Sequence, residues 1–365
     1  MEFASIYLFL AVFIALILGY PVALSLAGTA LIAAAIGIIF DSFDANLLNA
    51  IPNRLFGTIS NQTLIAVPLF VLMGVTLEKT RIAEQLLDAM SRSFGRFPGG
   101  LGLSVIFVGM LMAASTGIVG ATVVTMGLMS LPAMLKAKYD IPLAAGTICA
   151  TGTLGQIIPP SIALVLLGDV LSNAYQQAQL SMGIFNPKTV SVGDLFAGAV
   201  VPGLILVVLY ILYTSITAIL KPSKAPPIIA GDITFSEIID SILPPLVLIV
   251  AVLGSILGGL ATPTEAAGVG AMGAMLLAVL RRDLSFERLQ KIAISTTKTT
   301  AMVFFILIGA SIFSLVFRGY GGDELVAEIF DLLPGGTFGA LFSVMAVIFL
   351  LGFILDFIEI TFVVV

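Results

Sequence analysis

Long runs of apolar residues, separated by short polar segments, recur along the whole chain. The runs are about 17–25 residues long, the length that an α-helix needs to cross the hydrocarbon core of a bilayer. The residue-by-residue alternation that is typical of a membrane β-barrel strand is absent from the sequence. The pattern therefore predicts an all-α polytopic membrane protein.

Composition supports this fold class and excludes several functions. The chain is 59% hydrophobic and 10% charged, whereas a soluble domain is roughly 45–50% apolar and about 25% charged. It has no His and one Cys, Cys149, so an internal disulfide, a His/Cys metal site and Cys–His catalysis are excluded. No GxxxxGK[ST] phosphate-binding loop occurs. We therefore expect a protein that is not an enzyme and has no cofactor or transition-metal site.

The positions of Lys and Arg predict which ends of the apolar runs face the cytoplasm. Basic clusters at 79–96 and at 136–138 flank the apolar segment 101–135. This segment could cross the membrane twice as two short helices, or enter and return as a re-entrant hairpin with its tip near 114–122. The tip is small, polar and Gly-rich, which favours a hairpin that is buried in protein at membrane depth.

The hairpin tip offers hydroxyl and backbone oxygens for a cation, although small residues of this kind also serve helix packing. We predict that its ion-binding residues are Ser115, Thr116, Gly117, Gly120 and Thr122.

The stretch GTLGQIIPPS, residues 152–161, interrupts the next apolar span, 142–168. An unwound stretch at membrane depth exposes backbone carbonyls that suit Na⁺, and the N-terminus of the following half-helix suits an anionic group. We expect Pro159 and Pro160 to begin that half-helix. A simple proline kink is the alternative. The predicted substrate-binding residues are Thr151, Gly152, Thr153, Gly155, Pro159 and Pro160.

The two halves of the chain repeat each other. FPGG at 97–100 recurs as LPGG at 333–336, and Pro21 recurs as Pro263, with nearly the same offset along the sequence. The basic residues place the first Pro-Gly-Gly turn on the cytoplasmic side and the second on the periplasmic side. Inverted repeats of this kind are typical of secondary transporters, whose binding sites lie near the bilayer midplane between broken helices.

The second hairpin contains carboxylates at membrane depth. A charged residue costs about 2.5–3.5 kcal/mol at a helix centre, so we predict that Asp356, together with Thr361, binds the ion. Glu359 could instead face an interfacial partner. Glu265 could cap its helix or act in function. The counterpart of 142–168 is missing after the second hairpin, and we therefore expect a C-terminally truncated chain or fragment.

The predicted spans and hairpins divide the chain into six segments. They are the first-repeat scaffold spans and amphipathic arm (1–97), the first hairpin and broken helix (98–168), a periplasmic loop (169–198), a connecting span and linker (199–235), the second-repeat scaffold spans and arm (236–333) and the second hairpin (334–365).

Six stretches together resemble one transporter family. They are GYPVALSLAG, NQTLIAVPLFVLMG, the FPGG hairpin, TGTLGQIIPPSIALVLLGD, TPTEAAGVGA and LDFIEITFVVV. The chain resembles the large membrane subunit (DctM type) of the tripartite ATP-independent periplasmic, or TRAP, transporters. The family's second broken helix, which carries another Thr-Pro-Pro, is absent from the sequence.

The resemblance implies an elevator-type importer of a small organic acid, driven by Na⁺ symport across the bacterial inner membrane. It also implies a small four-helix membrane subunit and a periplasmic substrate-binding protein as partners, and sites at 115–122, 151–160 and 356–361. A stand-alone Na⁺-coupled dicarboxylate or citrate carrier, which needs no binding protein, is the alternative. A membrane-embedded enzyme and a channel are the rivals from other classes.

Overall fold

The computed structural model describes residues 4–80, 82–116, 119–228, 234–353 and 355–363. This part of the chain consists of α-helices, short 3₁₀ turns and connections, without a strand. The helices are α1 (Ala4–Ile17), α2 (Val22–Ile39), α3 (Ile51–Ile59), α4 (Ala66–Lys79), α5 (Ile82–Phe94), α6 (Gly100–Thr116), α7 (Val119–Lys136), α8 (Ile141–Thr153), α9 (Ile162–Ser181), α10 (Val192–Leu220), α11 (Phe235–Leu257), α12 (Pro263–Leu280), α13 (Phe286–Gly319), α14 (Gly322–Leu332), α15 (Gly336–Leu351) and α16 (Phe357–Val363).

Five of the described helices, α2, α10, α11, α12 and α13, are long and apolar enough to cross a bilayer. A sixth candidate span is the bent pair α14 and α15, whose axes turn by 117° at LPGG. These helices confirm the predicted all-α polytopic membrane protein.

The chain forms two compact units, one made of residues 1–61 and 300–365 and the other of residues 62–299. In the second unit, the hairpin helices α6 and α7 pack against each other and against α8, while α5 lies along α6 and α11. The amphipathic sequence of α5 explains this position, because Leu86, Leu87 and Met90 are buried while Glu84 and Asp88 are exposed.

In each unit, a helix of one predicted repeat packs against a helix of the other. In the unit 62–299, α4 packs along α12, whose buried face contains Ala267, Gly270 and Ala274; such small residues allow close approach of two helices. In the other unit, the later part of α13 lies against α2, since a Cβ atom on Gly309 would lie 3.0 Å from Ala23 Cα. Just after α13, the Tyr320 hydroxyl donates to the Ala33 carbonyl at 2.7 Å. In the predicted repeat, α2 corresponds to α12 and α4 to the later part of α13; the repeat itself stays a prediction.

Basic clusters that are far apart in sequence meet at one end of the unit 62–299. Lys224 forms an ion pair with Asp140 at 3.1 Å, next to the basic end of α7. The Gly99 N–H of the first Pro-Gly-Gly turn donates to the Ala225 carbonyl at 2.9 Å, and Arg92 contacts Glu237 at 3.4 Å. The assignment of these clusters to the cytoplasmic side stays a prediction.

The predicted loop at 169–198 is helical at both ends, because α9 continues to Ser181 and α10 begins at Val192, so irregular backbone covers only 182–191. Ala and Gln are good helix formers, so the helix extends beyond its apolar run. One of these polar residues fastens the loop: the Gln179 amide donates to the Lys188 carbonyl and accepts from the Lys188 N–H, both at 2.9 Å.

Candidate functional site

The span predicted to be broken is broken. Helix α8 ends at Thr153, a 3₁₀ turn covers Leu154–Gln156, and α9 begins at Ile162. The expectation that Pro159 and Pro160 begin the second half-helix is wrong, because both prolines precede it. Ser161 is the N-cap instead: its Oγ accepts from the Leu164 N–H at 3.4 Å and donates to the Gln156 carbonyl at 2.7 Å. A serine oxygen can satisfy a free helical N–H group, which proline cannot do.

The structure brings the first hairpin and this break together. A Cβ atom on Gly152 would overlap the Val123 side chain and would lie 3.0 Å from Val123 Cα and 3.2 Å from its nitrogen. A Cβ atom on Gly109 of α6 would likewise overlap the Thr151 methyl group. Helices α6, α7 and α8 therefore meet through two glycine contacts. Thr122 directly precedes Val123 on α7.

The threonines whose oxygens were predicted to bind an ion or the substrate differ in burial. Thr122 and Thr151 are buried, and the Thr151 hydroxyl donates to the Thr147 carbonyl at 2.6 Å. A hydroxyl that donates keeps lone pairs, which a cation can use. Thr153 is exposed, and its hydroxyl donates to the Ala150 carbonyl at 2.7 Å.

The remaining predicted residues have these positions: Gly152, Gly155, Pro159 and Pro160 are buried, and Gly120 is exposed. The Ser115 and Thr116 side chains and all of Gly117 lie outside the described residues.

Gln156 is a site residue that the sequence reasoning missed. Its side-chain Nε2 is buried and has no hydrogen-bond partner in the described part of the chain. A buried donor without a partner is costly, and it suits a ligand that brings an oxygen acceptor, such as a carboxylate. The available signal was an amide residue inside an apolar span, between Gly155 and Ile157.

The second predicted ion site lies in the unit formed by 1–61 and 300–365, at the break before α16. The Phe357 N–H donates to Asp356 Oδ1 at 2.8 Å, and the Asp356 N–H donates to Glu359 Oε2 at 3.1 Å. The buried Thr361 hydroxyl donates to the Phe357 carbonyl at 2.8 Å. Both carboxylates thus bind the N-terminus of a short helix. An ion-binding role for Asp356 and Thr361 stays a prediction.

Glu265 caps its helix, which was one of the two roles predicted for it. The Thr262 N–H donates to Glu265 Oε2 at 2.8 Å, and the Glu265 N–H donates to Thr262 Oγ1 at 3.3 Å. This reciprocal arrangement is a capping box at the start of α12.

Comparison with known proteins assigns the family. Residues 9–365 match the family model described as "Tripartite ATP-independent periplasmic transporter, DctM component". That description is of a transporter component, in agreement with the expectation that the chain is not an enzyme.

Curated relatives have consistent names. The C4-dicarboxylate TRAP transporter large permease protein DctM of Pseudomonas aeruginosa is 32% identical over 278 residues, 75% of this chain and 60% of the relative. The protein of the same name from Rhodobacter capsulatus is 31% identical over 291 residues, 77% of this chain and 63% of the relative. The ectoine TRAP transporter large permease protein TeaC of Halomonas elongata is 28% identical over 335 residues, 92% of this chain and 73% of the relative.

The chain thus spans less than two thirds of the first two relatives. The family match over nearly all of its residues shows, nevertheless, that this chain belongs to the DctM family of tripartite ATP-independent periplasmic transporter components.

Proposed function

We propose that this chain is the large membrane subunit of a TRAP transporter that imports a small organic acid by Na⁺ symport. Family membership supports the transporter class. The observation that carries the site is the Gly152–Val123 contact, which joins the first hairpin to the broken helix. In this proposal, the first hairpin and the broken helix move together as the transport element of an elevator mechanism.

Two kinds of group would act at this site. Oxygens of Thr122 and Thr151 would bind the coupling Na⁺, because hydroxyl and backbone oxygens are ligands of hard cations. The Gln156 Nε2 would donate to a carboxylate oxygen of the substrate, which would satisfy the buried amide. Asp356 and Thr361 would provide a second ion site on the other hairpin. No organic cofactor takes part.

We propose the bacterial inner membrane as the location, with a small membrane subunit and a periplasmic substrate-binding protein as partners. Two of the similar relatives are named for C4-dicarboxylates and one for ectoine. For this chain, we propose the broader class of small organic carboxylates as substrates.

Uptake into proteoliposomes tests the proposal. The complete gene product, co-reconstituted with the small membrane subunit, should accumulate substrate only with an inward Na⁺ gradient and the periplasmic binding protein. Uptake that needs Na⁺ but not the binding protein would support the stand-alone carrier instead. Flux that neither saturates nor depends on Na⁺ would support a channel and contradict the proposal.

A pair of glycine variants locates the site. Replacing both Gly152 and Gly155 with Ala should abolish Na⁺-coupled uptake while the protein still inserts, because the added methyl group at 152 would push α8 away from Val123. Gly127→Ala on the adjacent helix α7 is the matched control, since a Cβ atom there meets no atom within 4 Å. Undiminished uptake by the double variant would remove residues 151–160 from the site.

A further inference from the structure

A groove of about 410 Å³ runs between α8 and α10 in the unit 62–299. On α8 it is lined by Leu143, Gly146 and Ala150, and on α10 by Tyr210, Tyr213 and Thr214. Tyr213, which lines the groove, is 65% exposed. The groove is therefore accessible from outside the protein.

On the α8 side, the groove is lined mainly by apolar residues and by two threonines whose hydroxyls bond within the helix. Thr147 and Thr151 both line it, but their hydroxyls donate to the Leu143 and Thr147 carbonyls of their own helix at 2.8 and 2.6 Å. These two hydroxyls are therefore satisfied within α8 and need no partner from an occupant. Gly146 leaves an open space, since an added Cβ atom would meet no atom within 4 Å.

One end of the groove carries both signs of charge. Asp140 and Lys224 line this end and form a partly exposed ion pair, with the Lys224 Nζ 3.1 Å from Asp140 Oδ2. The Asp140 N–H also donates to the Lys224 carbonyl at 2.9 Å, which fixes the two segments relative to each other. This end adjoins the basic clusters at 136–138 and 221–224, where the membrane surface is expected.

The length of the groove matches one leaflet of a bilayer. Asp140 and Thr151 are separated by about 16 Å along α8, at about 1.5 Å per residue. Half of the hydrocarbon core is about 15 Å thick. An occupant therefore needs an apolar body one leaflet long and a head that complements a carboxylate and an ammonium group.

We propose that this groove binds a phospholipid of the cytoplasmic leaflet that carries a phosphoethanolamine headgroup. One acyl chain lies along Leu143, Gly146 and Ala150. The lipid phosphate accepts from the Lys224 ammonium, and the lipid ammonium donates to the Asp140 carboxylate. The chain end reaches Thr151, one turn before the break, so lipid occupancy stabilises the first half of the broken helix.

Native mass spectrometry tests this site directly, independently of transport. Protein in mild detergent is incubated with equal amounts of phosphatidylethanolamine, phosphatidylglycerol and phosphatidylcholine. We expect selective retention of phosphatidylethanolamine, because phosphatidylglycerol lacks a cation for Asp140 and the choline nitrogen has no hydrogen to donate. Gly146→Leu fills the groove and should lower retention about tenfold. Gly198→Leu on α10, at an open position outside the groove, should leave retention unchanged.

Asp140→Asn tests the headgroup separately. This variant leaves Lys224 without its carboxylate partner, so selectivity should shift toward the anionic phosphatidylglycerol by about threefold. Equal loss of lipid in Gly146→Leu and Gly198→Leu, or unchanged selectivity in Asp140→Asn, would overturn the proposal. Displacement of the lipid by the small membrane subunit, or by an organic acid, would also overturn it and assign the groove to that ligand.

Discussion

Gln156 has a buried amide nitrogen without a partner in the described part of the chain. Such a donor lowers the stability of the free protein unless a ligand satisfies it, at a cost of about 1–3 kcal/mol. Replacing such a residue is therefore expected to affect ligand binding and protein stability in different directions. A well-packed structural residue stabilises the protein with or without a ligand, whereas this amide forms a stabilising hydrogen bond only when a ligand brings an acceptor.

We predict that Gln156→Leu lowers substrate uptake while it leaves the melting temperature unchanged or raises it. Ser130→Ala on α7 is the matched control, because the Ser130 hydroxyl is also buried without a partner among the described residues. It should change stability in the same direction and leave uptake unchanged. Proteoliposome uptake, together with thermal unfolding followed by size-exclusion chromatography, measures both effects. Normal uptake by Gln156→Leu would show that the amide does not touch the substrate.

The sequence identified the residues of the break but not their individual roles. Glycines and prolines predict a break because they weaken or stop a helix, and the helix does end at Thr153. The exact start of α9 depends on Ser161, whose hydroxyl reaches back to Gln156. That contact exists only once the turn has formed, so a reading of local propensity missed it.

At the scale of the helices, the start of α12 is stabilised by one carboxylate, that of Glu265. The Glu265 side chain accepts from the Thr262 N–H, and the Thr262 side chain accepts from the Glu265 N–H. Either a carboxylate or an amide oxygen can serve as the acceptor at this position of a capping box. Charge is therefore dispensable for capping but would be required for ion or substrate binding.

We predict that Glu265→Gln retains both uptake and thermal stability. Thr262→Ala should lower the free energy of unfolding by about 1 kcal/mol, the usual cost of a lost N-cap. Parallel measurements of the melting temperature and of Na⁺-driven uptake check both variants. A Glu265→Gln protein that melts normally but does not transport would show that the negative charge acts in transport.

At the same scale, the repeated Pro-Gly-Gly turns were predictable and the groove was not. Gly99 has φ +81° and Gly335 has φ +97°, values at which a residue with a side chain is strained. A local motif of this kind can be read from the sequence. The groove between α8 and α10 depends on how two helices far apart in sequence pack, and it needs the Asp140–Lys224 ion pair. No local pattern predicts that pairing.

For the whole molecule, the predicted inverted repeat has the most specific consequence, because it places two similar turns on opposite sides of the membrane. Phe97 precedes the first Pro-Gly-Gly and is 65% exposed, while Leu332 lies just before the second and is 84% exposed. The chain has a single native cysteine, Cys149, which is exposed. Cys149→Ala therefore gives a simple background for placing one cysteine at a time.

We predict that, in this background, Leu332→Cys reacts with a membrane-impermeant maleimide in intact spheroplasts, whereas Phe97→Cys reacts only after permeabilisation. Lys136→Cys should behave like Phe97→Cys, because it belongs to a basic cluster expected in the cytoplasm. Phe185→Cys, at a position that is 92% exposed, should behave like Leu332→Cys. Labelling of both turns from one side would contradict the inverted repeat. In that case, the two hairpins would enter the membrane from the same face, and they could not approach a midplane site from opposite sides as an alternating-access mechanism requires.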